Sequence, residues 1–127
     1  MNPAPGYSKY PNHHVEAKPS SAHVIVKYQG EVIADTRTPV ELHEDTGEGK
    51  KTVAPVVYYI PRKDVRMERL ERSSHQTHCP FKGDASYFSV VDGPSNSVWS
   101  YESPYDETMA LKDRLAFYPD RFEIEAE

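Results

Sequence analysis

The sequence predicts a mainly β domain, and three observations carry that expectation. Ala22, Val24, Val26 and Tyr28 alternate with His23, Ile25 and Lys27, the period-two pattern of a strand with two distinct faces. Val56-Val57-Tyr58-Tyr59-Ile60 is a β-branched and aromatic run stopped by Pro61. Residues 84–91 and 97–102, both studded with aromatics, flank Asp92-Gly93-Pro94-Ser95-Asn96, a loop of turn formers, and read as a hairpin.

The other elements follow in chain order. Residues 1–20, with four prolines, one glycine and few aliphatics, read as an extended N-terminal arm, leaving 21–127 as a single β-rich domain. Gln29-Gly30 turns the first strand into a second at 31–35, and 39–44 (PVELHE) is another short strand. Residues 45–51 (DTGEGKK) have the glycine and charge content of an exposed loop, either a lid or a plain connection. Residues 62–72 suit one or two helical turns with Val65, Leu70 and Met67 inward. Residues 106–114 are the best helix candidate, with Asp106 and Glu107 in the first turn and Lys112 and Arg114 near the end, as the helix dipole favours. Asp64 suits a turn or helix cap, accepting backbone N–H groups. Leu115-Ala116-Phe117-Tyr118 and an edge strand at 121–125 close the chain.

Composition narrows the function classes. A chain of 127 residues suits one core, and an apolar share of 37% makes that core thin. Nine Tyr, four Phe and one Trp must supply much of its buried area. Fifteen basic against twenty acidic residues give a charge of −5, which disfavours nucleic acid and anionic membrane as partners. The lone Cys79 excludes an internal disulfide and the paired-cysteine zinc signatures, so a reducing, cytoplasmic setting is expected, with no cofactor. No signal-peptide pattern opens the chain, and no apolar run approaches the roughly 20 residues of a membrane span.

Tyr59-Ile60-Pro61, Asp64-Val65, Leu70, Ser73, Cys79-Pro80-Phe81-Lys82-Gly83, Ala85, Tyr87, Trp99-Ser100-Tyr101 and Phe117-Tyr118, in this order and spacing, closely resemble domain-of-unknown-function family 427. Asn2 to Gly6 and Pro11 to His13 are similar to the way the family often opens. Its usual motif is Cys-Pro-Tyr-Lys-Gly, so Phe81 keeps the ring and lacks the hydroxyl. The resemblance implies a bacterial source and a β-tent, a pair of antiparallel sheets meeting at one end as in the Mss4-like architecture and methionine sulfoxide reductase B. Those relatives place two Cys pairs at the junction; with Cys79 alone, no structural zinc is expected here. The family carries a nucleotidyltransferase-like label. Such chemistry generally uses paired carboxylates on Mg²⁺ and a Gly/Ser-rich phosphate loop, and neither stands at the needed spacing.

The candidate pocket is bordered by Tyr59, His75, Cys79, Lys82, Tyr87, Trp99 and Tyr101. His75-Gln76-Thr77-His78-Cys79 is the densest set of metal-ligand types, but on a strand His75 and His78 point to opposite faces, and His13 and His14 are distant in sequence. Cys79 is a nucleophile only if a cation stabilises its thiolate, and otherwise a structural or pocket-lining thiol. Gly83 permits an unusual turn beside Lys82, whose ammonium would then meet an anion; a solvated turn lysine is the plain alternative. The aromatics either wall a pocket or fill the core. Two functions stay open: a small-molecule domain for an anionic ligand, enzymatic or not, and a non-catalytic module that meets a protein partner through a sheet edge or loop.

Overall fold

The computed structural model describes residues 2–45 and 56–127, Asp45 by its backbone alone. The described strands are β1 (His14–Pro19), β2 (Val24–Tyr28), β3 (Glu31–Thr36), β4 (Val40–Asp45), β5 (Val57–Tyr59), β6 (Leu70–Cys79), β7 (Gly83–Val90), β8 (Val98–Tyr101), β9 (Leu115–Phe117) and β10 (Glu123–Ala126). The chain is mainly β, as its alternation predicts. The strands form three antiparallel sheets in the orders β1-β4-β5, β10-β2-β3 and β6-β7-β8-β9. Ile60 and Leu115 exchange backbone hydrogen bonds of 2.8 and 2.9 Å, so the first and third sheets meet at one edge in the manner of a tent. An Ala34–Val65 bridge and the Arg66 N–H bond to Ile33 O tie β3 to the segment leading into β6.

The four-stranded sheet is the middle layer, covered on both faces over β7–β9 while β6 is mostly exposed. Ala85, Tyr87, Tyr101 and Ala116 pack with Val15, Val40, Leu42 and Tyr59 of the first sheet. Phe88, Val90, Val98, Leu115 and Phe117 pack with Val24, Val26, Ile33 and Ala34 of the second. Strand periodicity sorts the two sets: Leu115 and Phe117 point one way and Ala116 the other, which is why this segment is apolar at every position.

Three segments differ from the sequence reading. The arm divides: Gly6–Lys9 makes one turn of helix, α1, while His14–Pro19 is an edge strand whose Val15 turns into the core. Residues 62–72 contain two 3-10 turns, Arg62–Asp64 and Met67–Arg69, with Val65 and Leu70 buried as expected and the strand already begun at Leu70. Asp64 accepts a hydrogen bond from the Thr36 hydroxyl at 2.7 Å rather than capping a backbone. Asp106–Leu111 is also 3-10, interrupted at Thr108 (φ −123°, ψ 28°), whose side chain is buried. Asp106 and Glu107 serve the arm instead of their own helix, accepting the Asn2 and Ala4 N–H groups at 2.9 Å each. The loop read at 45–51 lies, beyond Asp45, outside the described residues.

Candidate functional site

Two neighbourhoods gather chemistry, and the sequence-predicted residues divide between them. Tyr59, Tyr87 and Tyr101 are buried between the first and middle sheets, with Trp99 partly buried on the same face. Register explains the grouping: Tyr87 pairs with Trp99 and Ala85 with Tyr101 across β7 and β8. The Trp99 indole N–H donates to Tyr59 Oη at 3.1 Å, with the rings perpendicular at 6.2 Å. Tyr87 Oη lies 3.0 Å from Thr77 Oγ1 and 3.5 Å from Tyr118 Oη. Burial pushes the Tyr59 and Tyr101 phenols far above their ordinary range, and Tyr118 is pushed up to about 12 by burial and by its bond with Tyr87. These hydroxyls stay neutral across physiological pH, and those of Tyr59 and Tyr118 act as hydrogen-bonding groups.

His75 does not join that layer. It is exposed on β6 and touches the rim of Tyr87 edge-on at 4.6 Å. His78 leaves by the other face, its Nδ1 2.7 Å from Asp84 Oδ1, and Cys79 is partly exposed at the strand end. Among the described residues, no three His, Cys, Asp or Glu side chains converge as a ligand set.

Lys82 sits at the β6–β7 turn, where Gly83 takes φ +118°. Its ammonium donates to Glu44 Oε1 at 3.1 Å, and Glu44 Oε2 accepts from His13 Nε2 at 2.8 Å. The side chains of Lys82, Glu44 and His13 are 13%, 19% and 14% exposed, so the ion pair is largely withdrawn from water. Burial alone would raise the Glu44 carboxyl; the Lys82 charge and the His13 bond outweigh it and hold the group below its ordinary range. Sequence reasoning missed His13, set aside as distant, and Glu44, placed only as the last residue of the 39–44 strand. One signal for Glu44 is present in the sequence: it shares the inward face of β4 with Val40 and Leu42.

An apolar cavity lies elsewhere, with a volume of about 400 Å³. Val24, Val26 and Ile124 of the second sheet form one side, Val57 and Ile60 another, and Trp99, Phe117 and Tyr118 a third. Its lining holds no charged side chain, and of the seven predicted site residues Trp99 alone reaches it. Trp99 and Tyr118, ring centroids 4.5 Å apart, thus connect the cavity wall to the tyrosine layer.

In the loop joining β7 to β8, three amides are already engaged within the hairpin. Gly93 N–H bonds to Val90 O, Asn96 N–H to Ser89 Oγ and Ser97 N–H to Phe88 O.

Fold and site together define a small β-tent domain with an apolar cavity beside a tyrosine-lined sheet face. Residues 16–127 match the family described as "Domain of unknown function (DUF427)", which carries the label NTP_transf_9, and the chain belongs to that family. No curated protein matches it. None of the described helices is long and apolar enough to cross a membrane.

Proposed function

We propose that this domain binds a compact, largely apolar small molecule in the cavity lined by residues of all three sheets. The observation that carries the reading is the lining itself: about 400 Å³ walled by valines, isoleucines and aromatic rings with no charge among them. That volume is at the lower end for small-molecule sites and suits a ligand of on the order of a dozen non-hydrogen atoms. Tyr58 and Tyr118 offer phenols, and Trp99 a ring face, for one polar group on such a ligand. The expected anionic ligand is less well supported at Lys82, whose ammonium is matched by Glu44 and lies outside the cavity lining. With no acid, base or thiol in the lining other than phenols, binding is the reading rather than turnover, and nucleotidyl transfer has no support from the geometry.

The test is a thermal-shift screen of small aromatic and aliphatic compounds on the wild type and on Val57→Trp, whose added bulk occupies the cavity. A ligand at a hundredfold over its Kd stabilises the wild type by about 2.7 kcal/mol. We expect that shift in the wild type and its loss in a folded Val57→Trp. No shift with any compound, or equal shifts in both proteins, would remove the cavity from consideration.

A protein-interaction reading rests on a different observation. β6 is an outer strand of ten residues whose Ser74–His78 stretch is exposed, uncharged at neutral histidine and free of proline, an edge that no strand of the described residues covers and that suits strand addition. Binding there would appear as slowed hydrogen exchange of the 74–78 amides on adding the partner.

A further inference from the structure

We infer that Phe81, Glu44 and Lys82 form a recognition slot for a planar nitrogen heterocycle, and that the arm's own His13 fills it as a built-in surrogate. The imidazole lies face to face on Phe81, ring centroids 3.9 Å apart and planes 15° apart. Its Nε2–H reaches Glu44 Oε2 at 2.8 Å, and the other carboxylate oxygen is held by Lys82 at 3.1 Å. A flat ring gripped on its face by an aromatic side chain and on its edge by a carboxylate is how proteins hold heterocyclic bases.

Two further observations separate the slot from its occupant. Glu44 comes from β4, and Phe81 and Lys82 from the β6–β7 turn, so the slot belongs to the body of the fold while His13 arrives on the arm. A clasp needs no ionic group beneath it, because Gly6 and Tyr7 already hold the arm against Phe81, with the Tyr7 ring edge-on at 5.1 Å. Withdrawing the Glu44–Lys82 pair from water is costly unless its bonding capacity is met, and His13 meets part of it. Among the described residues Glu44 is the one side-chain acceptor of the Lys82 ammonium, which carries three N–H donors. That donor–acceptor edge complements a base carrying an N–H group next to a ring nitrogen or carbonyl.

The experiment titrates adenine, as the probe, into the full-length wild type, His13→Ala and His13→Ala/Glu44→Gln, following binding by calorimetry and the His13 ring by NMR. An arm that closes more than about nine-tenths of the time competes intramolecularly, so removing His13 should tighten adenine binding at least about tenfold. In the wild type, adenine should move the His13 ring signals toward those of a solvated histidine. Adding Glu44→Gln should abolish the gain. Equal affinity in wild type and His13→Ala, no binding to His13→Ala up to about 10 mM, or indifference to Glu44→Gln would each overturn the inference. Should His13→Ala lose its fold, His13→Gln makes the same comparison, keeping an amide for Glu44 and giving up the stacked ring. The slot is independent of the apolar cavity: Val57→Trp should leave adenine binding unchanged, so the two readings fail separately.

Discussion

Gly6→Ala should open the N-terminal arm, although helix propensity alone says the opposite. Gly6 begins α1, and an alanine in a helix interior is favoured over glycine by about 1 kcal/mol. Space decides against it. A Cβ at Gly6 would lie 2.7, 2.9 and 3.0 Å from Cε1, Cδ1 and Cζ of Phe81, where carbon atoms in good contact sit about 3.5–4.0 Å apart. The ring already has Tyr7 and His13 against it, and the Gly6 N–H is tied to Pro80 O at 2.9 Å, so neither partner can yield cheaply. Forcing a methyl into a filled site costs about 1–3 kcal/mol, and at the first position of a single turn the propensity gain is smaller than in a helix interior. A net loss of about 1–2 kcal/mol multiplies the open population of the arm about 5- to 30-fold. Hydrogen exchange read by mass spectrometry should show faster exchange at the Gly6 and Tyr10 amides, with the amides of the middle sheet unchanged. In a Phe81→Ala background the added methyl has nothing to strike and should be neutral or stabilising. Unchanged or slower exchange of the arm in Gly6→Ala would refute the argument.

Glu102 receives two bonds from Arg72, at 2.7 and 3.0 Å, and one from Arg62 at 2.8 Å; with Arg72 contributing most, its carboxyl falls from 4.5 to about 2. A carboxyl depressed in the folded state stabilises fully above its unfolded value and loses that contribution as pH falls from about 4.5 to about 2. Urea midpoints of the wild type should therefore drop through this window and those of Glu102→Gln less; parallel curves would contradict the assignment. Trp99→Phe keeps a ring on the cavity wall and deletes the N–H that serves the buried Tyr59 hydroxyl, a loss of about 1–3 kcal/mol by urea denaturation. A change under about 0.5 kcal/mol would mean that hydroxyl has another partner. Gly83→Ala puts a side chain at φ +118° and a Cβ 3.2 Å from Ser103 O, so the melting temperature should fall; an unshifted melt would show that the β6–β7 turn relaxes freely.

Most of the fold was legible because strand periodicity is local. The alternation at 22–28, the apolar run at 56–60 and the aromatic hairpin each contain their own evidence, and each became a strand. The failures occurred where a distant partner decided the outcome. Asp106 and Glu107 read as the favourable first turn of a helix, yet their carboxylates bind amides of residues 2 and 4, more than a hundred positions away. A buried Thr108 then leaves the segment as a kinked 3-10 turn. Likewise, 73–79 carries no apolar alternation to announce a strand, because β6 is an outer strand whose side chains there are mostly exposed. It is extended because β7 supplies its hydrogen bonds.

The candidate site was legible to the same extent and for the same reason. Trp99 and Tyr101 could be put on one face from their spacing; the structure sets Tyr87 beside them and packs Tyr59 against them from the first sheet. The partner of Lys82 could not, since Glu44 lies 38 residues away and His13 a further 31. Yet Glu44 breaks the apolar series of Val40 and Leu42 on the inward face of β4, and a carboxylate in that register must find a cation or a donor. The position of the anomaly can thus be read in one strand, while the identity of what satisfies it comes from topology. Lys82 meets that requirement from the body of the fold and His13 from the arm, so the part of the pairing that can be exchanged is the part carried by the arm.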